Sequence, residues 1–364
     1  MAGLVNQKAP VYRYTRVPIQ DIDFKIQETL DVALTKPGAF AYNIYMIQTP
    51  PRLSTMRTMV GSLFLYKDVN FMKDLKKHLS LTEQVALMVS RGLIVADTSE
   101  AQNLLFHVNY YRLSGYLHGF KQPDGVNYIP QTTLAQIQTL YDFDRKFTRI
   151  LMFAMEDIEE TFKTRLSYAL TSAFPDDPLI YLNPEIYRDK EDFERFKRHF
   201  QEEFKNNKKL PFIKHHIQEY DGQLPMWVAV EILTMGNLSA LYRNLLPKYQ
   251  KKLAHYYYTG PEQLENWIKN LTYTRNHLAH YMRIYDFNFG RSPKQCSHHH
   301  LYKKASNRIF DQIYIMSFMY STPSEWNNYV LPEIAALLEN YSEYVHLSAL
   351  GFPDNWQEIL TIRQ

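Results

Sequence analysis

Arg275 and His280 lie in the run Arg275-Asn276-His277-Leu278-Ala279-His280, with four residues between them. An arginine is a permanent cation whose planar fork suits phosphate oxygens, and a histidine exchanges protons near neutral pH. Metal-free RNA cleavage needs both chemistries. One group must take the 2′-hydroxyl proton, another must protonate the leaving 5′-oxygen, and positive charge must face the developing phosphorane. His280 fits the proton-transfer role and Arg275 the electrostatic one. On an ideal helix, side chains five positions apart point roughly 140° from one another. Either Arg275 reaches around on its long stem, or a second copy of the chain completes the pair across a two-fold axis. One histidine per chain cannot be base and acid at once, which again favours two copies. Asn276 shares the face of His280 and is placed to orient the imidazole. His277 is a candidate support or second proton-transfer group. R-x4-H is a weak pattern, and without neighbouring support both residues read as ordinary helix-surface or capping residues.

The element that must carry the pair spans residues 267–286. Trp267, Leu271, Leu278, Met282 and Tyr285 recur at helical steps and predict one apolar helix face through the whole stretch. Upstream, Ser80 or Thr82 caps a helix that Gly92 stops, and a second helix follows from Ser99 to about Asn109. Thr133 opens a long helical stretch ending before Pro175, with Leu140, Phe143, Phe147, Leu151, Ile158 and Leu166 in period. It is either one bundle helix or two with a slight break. Pro225 starts a further helix that carries Glu231 and stops at Gly236-Asn237. From about Ser306 to Arg363 the chain is helical, with breaks near residues 321–324 and 351–353. Gln20 to Leu34 allows one short helix in an otherwise proline-broken N-terminal segment. Strand signals are nearly absent, so the fold class is all-α, a multi-helix bundle.

Other polar positions have a bland reading beside a functional one. Glu159, Glu160 and Glu231 orient Arg275 or are solvated and salt-bridged carboxylates. Asp144, Arg145 and Arg165 read as a buried polar network rather than as catalysts. Tyr110, Tyr111 and Arg112 stack bases or pack against the long helix. Phe193, Phe196, Phe200 and Phe204 line one side of a segment whose Lys197, Arg198, Lys205, Lys208 and Lys209 either hold an RNA backbone or form a solvated face. Cys296, His298, His299 and His300 lack the paired spacing of a structural zinc site, so no metal is assigned. No P-loop, GxGxxG, HExxH or GxSxG is present, and no cofactor is implied.

Composition sets the limits. The chain has 364 residues, 45% of them hydrophobic and 22% charged, which is globular and long enough for a sizeable core. Its net charge of +3 makes no strong overall field, so any surface that attracts RNA is local. Cys296 is the only cysteine, which excludes an internal disulfide and fits a reducing compartment. No run approaches eighteen apolar residues and the N-terminus lacks a signal-peptide core, so a cytoplasmic protein without a membrane span is expected.

Eight ordered motifs carry a family resemblance: LSLTEQ (79–84), RGLIV (91–95), NYYRLSGY (109–116), LYDFDRKF (140–147), EDIEETFKTRLSY (156–168), LPMWVAVEILTMGNLSALY (224–242), RNHLAHYMRIYD (275–286) and GFPDNW (351–356). Together they resemble the bacterial abortive-infection family, the AbiD/AbiF-like group, over roughly residues 73–358. The resemblance implies a HEPN-type helical core and a metal-independent endoribonuclease in phage defence. It also implies that Arg275, Asn276 and His280 form the R-x4-6-H motif, commonly in a site composed by two domains, and hence a homodimer. The implied partners are RNA as substrate and, as in some members, a small structured non-coding RNA. The chain then divides into an appendage (1–72) that the resemblance does not account for, an N-terminal helical part (73–130), the HEPN-like core (131–290) and a C-terminal helical part (291–364). The competing expectation is a non-catalytic RNA-binding protein that holds such an RNA. A third is HEPN geometry serving dimerisation alone.

Overall fold

The computed structural model describes residues 75–295, 302 and 305–363. The appendage, its Gln20–Leu34 helix and the Cys296–His300 cluster therefore lie outside the described residues. The chain divides into two units between His78 and Leu79, and the fold below is that of the second. Among the described residues there is no strand, only isolated bridges such as Ile94 with Thr133. The expected all-α bundle is what forms.

Its axis is α4, Leu134–Thr171, a single helix of 38 residues and about 57 Å in length. The Thr133 side chain accepts the Gln136 N–H and the Gln136 side chain accepts the Thr133 N–H, so two free donors are capped reciprocally. No proline or glycine interrupts it, and Phe143, Phe147, Leu151, Ile158 and Phe162 are wholly buried along its length. Burial of each such side chain contributes about 1.5–3 kcal/mol.

Shorter helices surround α4. Before it come α1 (Leu81–Ser90, with a Ser80/Glu83 capping box), α2 (Thr98–His107) and α3 (Tyr110–Leu117). After it come α5 (Lys190–Asn207), α6 (Pro211–Glu219), α7 (Met226–Ala229), α8 (Met235–Asn244), α9 (Pro247–His255) and α10 (Pro261–Ala279). The C-terminal part supplies α11 (Ile309–Met319), α12 (Pro323–Glu325), α13 (Leu331–Asn340), α14 (Leu347–Leu350) and α15 (Trp356–Leu360). Helices α3, α7, α8, α9, α10, α11 and α13 all pack on α4.

Two boundaries differ from the sequence reading. Gly236 and Asn237 do not stop a helix; they lie in the first turn of α8. Thr234 caps that turn by accepting the Asn237 N–H at 3.2 Å, and the preceding helix has already ended at the short 3-10 turn Val230–Ile232. The helix expected over residues 267–286 ends at Ala279, so Met282 and Tyr285 do not continue its apolar face. Nothing local requires that stop, since no glycine or proline follows. The cause is tertiary and belongs to the candidate site.

Candidate active site

Helix α10 starts at Pro261, whose missing N–H costs nothing in the first turn, and buries Leu264, Trp267, Ile268, Leu271 and Leu278. Arg275 lies one turn before its end. Its Nε donates to Glu159 Oε2 at 3.3 Å, from α4, and Lys163 Nζ stands 3.8 Å from the other carboxylate oxygen. The Arg275 side chain is 37% exposed. Among the described residues its terminal guanidinium nitrogens have no hydrogen-bond partner. Of the three carboxylates considered from sequence, Glu159 is the one that meets Arg275. Glu160 and Glu231 are exposed, and no ion pair joins them to it.

His280 caps α10. Its N–H still bonds the Asn276 carbonyl at 3.0 Å, and both side chains are exposed, with no hydrogen bond between them. The next residues reverse the chain. Tyr281 N–H donates to the Leu278 carbonyl at 2.9 Å and Met282 N–H to that of His277 at 3.0 Å. This is a Schellman closure, but with Tyr281, at φ +55°, in the left-handed position that glycine normally takes. A non-glycine residue there costs roughly 1–2 kcal/mol.

Side chains from three helices hold the turn. Asp144 of α4 accepts the backbone N–H of Ile284 at 2.7 Å, that of Tyr285 at 2.9 Å and the Tyr116 hydroxyl at 2.8 Å. His277 Nε2 lies 2.8 Å from the Arg283 carbonyl oxygen, while its ring sits among Phe287 and Phe289. Arg112 of α3 donates to the Tyr281 carbonyl. These bonds take the groups that would otherwise extend α10, which is why it ends at Ala279.

Burial pushes the Asp144 carboxyl up to about 6, against the lowering pull of its three donors and of the Arg283 guanidinium. Burial also lowers His277 below the ordinary histidine value, so it is neutral at pH 7. A neutral, buried imidazole committed to a carbonyl acts as a support for the turn. The expected buried network thus forms around Asp144. Arg145 does not join it but lies exposed over the Tyr141 ring, and Arg165 donates to the Tyr256 carbonyl at 3.3 Å. Arg112 as a prop for the turn and Arg283 beside Asp144 were missed from sequence. Asp144 was legible, because it falls in the apolar period of Leu140, Phe143 and Phe147.

The remaining candidates are spread over the surface. Leu113, Tyr116 and Leu117 pack α3 onto α4, Tyr110 is half-buried and Tyr111 is 83% exposed. On α5, Phe193, Phe196 and Phe200 are buried as expected, whereas the cations on it and just after its end do not form one cluster. Lys197 pairs with Glu194 at 3.2 Å and Lys208 lies over the Phe204 ring, leaving Arg198, Lys205 and Lys209 in solvent. No group of three potential metal ligands comes together, and no helix is long and apolar enough to cross a membrane, both among the described residues.

The arrangement can present a cation and a proton-exchanging group to an anionic ligand at one helix end, on a turn fixed by buried polar contacts. Comparison with known proteins bears on the same region. No curated protein and no solved structure matches the chain. The Abi-like protein family does, over residues 103–286, just over half of the chain. That span runs from α2 through α4 and α10 and ends at Asp286, immediately after the Asp144-held turn. The chain belongs to the Abi-like protein family, and that membership supports a role in abortive infection.

Proposed function

We propose that the protein is a metal-independent endoribonuclease of HEPN type, with Arg275 and His280 at its active site. The observation that carries the reading is the end of α10. Glu159 holds Arg275 by Nε, its terminal nitrogens are open to a phosphate, and exposed His280 closes the same helix. In the reaction a base takes the 2′-hydroxyl proton and the 2′-oxygen bonds to phosphorus. The bond from phosphorus to the 5′-oxygen then breaks, and an acid protonates that oxygen. The products are a 2′,3′-cyclic phosphate and a 5′-hydroxyl. Arg275 balances the charge that gathers on the phosphorane. Because one His280 cannot play both proton-transfer parts in a single step, the site is completed by a second copy of the chain, whose His280 supplies the other.

The test incubates purified wild type, His280→Ala and Arg275→Ala with total and structured RNAs in EDTA. Cleavage by wild type alone is the expected result. Products bearing 3′-hydroxyl and 5′-phosphate ends would discard the mechanism. One observation favours a second reading, a non-catalytic protein that holds a structured RNA: Arg275 is already paired to a carboxylate, as a structural arginine would be. A discrete RNA bound by all three proteins and left intact would select that reading.

A further inference from the structure

Helix α9 closes by the same device as α10, a Schellman turn with tyrosine in the left-handed position. Thr259 N–H donates to the Ala254 carbonyl at 3.2 Å and Tyr258 N–H to that of His255 at 3.1 Å, and Tyr258 has φ +51°. Its side chain is 90% exposed, so burial offers no compensation for the backbone strain. Strain without packing gain is a feature of sites kept for function. Tyr258 stands at one edge of an open basin of about 460 Å³ that Thr164, Arg165, Tyr168, His255 and Tyr256 complete.

The lining has one chemistry. Tyr168 is largely exposed and its ring lies 6.3 Å from that of Tyr256, tilted by 44°, while the Tyr258 ring makes no contact with another ring among the described residues. The Arg165 guanidinium is fixed by the Tyr256 carbonyl and by the Tyr257 ring, 4.6 Å from its centroid. Among the described residues no carboxylate lines the basin; one turn out on the same helix faces lie the cation Lys251, before His255 on α9, and the carboxylate Glu160, before Thr164 on α4. Exposed rings and a pre-set guanidinium suit a splayed base with its phosphate; every base has a face to stack, and the backbone supplies the anion.

We propose that this basin binds single-stranded RNA, with one unstacked base against Tyr258 and the Tyr168–Tyr256 pair and its phosphate on Arg165 and His255. The proposal deepens the ribonuclease reading by supplying a strand-holding site, and it rests on RNA being the ligand. Arg165 projects from α4 roughly 9 Å along the axis from Glu159 and about 120° around it, so the basin lies on a different face of the helix from the Arg275 partner.

The experiment measures binding of a fluorescently labelled ten-residue oligouridine in EDTA to the full chain carrying His280→Ala, so that nothing is cut. Tyr258→Gly and Tyr258→Phe are then added to that background, with a thermal melt of each. Loss of one stacked base is expected to weaken binding about five- to a hundred-fold in Tyr258→Gly. Its Tm should be unchanged or higher, since glycine relieves the left-handed strain. Tyr258→Phe should bind like its parent, and a hairpin duplex should compete poorly. Binding that is equal in all three proteins, or absent in the parent, overturns the proposal. So does weaker binding that merely tracks a lowered Tm. Failure of the ribonuclease reading has a different signature: the wild type leaves RNA intact while Tyr258-dependent binding persists.

Discussion

The Asp144 carboxylate accepts the backbone N–H of Ile284 at 2.7 Å, so the N-terminal third of α4 is tied to the segment that follows His280. With the Tyr285 N–H and the Tyr116 hydroxyl on the same carboxylate, one side chain satisfies three donors, two of them buried and the Tyr285 N–H half-buried. Replacing it by alanine strands all three. Each buried donor left unpaired costs about 1–3 kcal/mol. Asp144→Ala is therefore expected to lose about 3–5 kcal/mol in urea unfolding, and a loss below 1 kcal/mol would show that the turn holds without its clamp.

The same group gives stability a pH dependence of defined sign. Its folded pKa, about 6, is above the value of 3.8 taken for the unfolded chain, so between about pH 4 and 6 the native state binds more protons. This contribution falls as pH rises through that window and is level above it. Raising the carboxyl from 3.8 to about 6 corresponds to roughly 3 kcal/mol. His277 acts oppositely: burial lowers its pKa, so its contribution is lost as pH drops below about 6.5. Urea unfolding from pH 4 to 8 should show the Asp144 slope in wild type and lose it in Asp144→Asn. Parallel curves for the two proteins would contradict the burial-driven shift.

His280 is exposed and makes no side-chain hydrogen bond among the described residues, so its removal should barely touch stability. His280→Ala is expected to change unfolding by less than about 0.5 kcal/mol. Loss of a proton-transfer group should lower cleavage about 10²- to 10⁴-fold. A cleavage defect accompanied by a large loss of stability would instead place His280 in a structural role.

If two copies supply acid and base, one defective chain disables a dimer. Co-expressing wild type with His280→Ala should make cleavage fall with the square of the wild-type fraction, leaving about a quarter at equal amounts. A linear fall would mean that each chain holds a complete site.

Tyr281, like Tyr258, occupies a left-handed helix-closing position without burial to offset it. Tyr281→Gly is expected to gain up to about 1 kcal/mol, because glycine's unfolded-state entropy offsets part of the relieved strain. A melt lower than wild type would show that the ring stabilises the turn by contacts of its own.

Much of the architecture was legible from residue periods and caps. The Thr133 capping box and the unbroken apolar period made α4 readable, as did Ser80 and Glu83 for α1. The Arg275–His280 pair and its family could be named from the order of short motifs, because residue types at fixed offsets report chemistry directly. Local pattern did not show where α10 ends. Its apolar period continues through Met282 and Tyr285, and the stop is imposed by Asp144, 140 residues upstream, by Arg112 and by the fold-back of His277 onto Arg283. Nor did it select Glu159 over Glu160 and Glu231, since that depends on which turn of α4 faces Arg275. By itself the sequence determined the helices, the central one above all, and the spacing of Arg275 and His280, the pair proposed to do the chemistry. Only the tertiary structure decided how those residues are presented, because the hydrogen bonds that end α10 and orient its last turn join positions far apart in the chain.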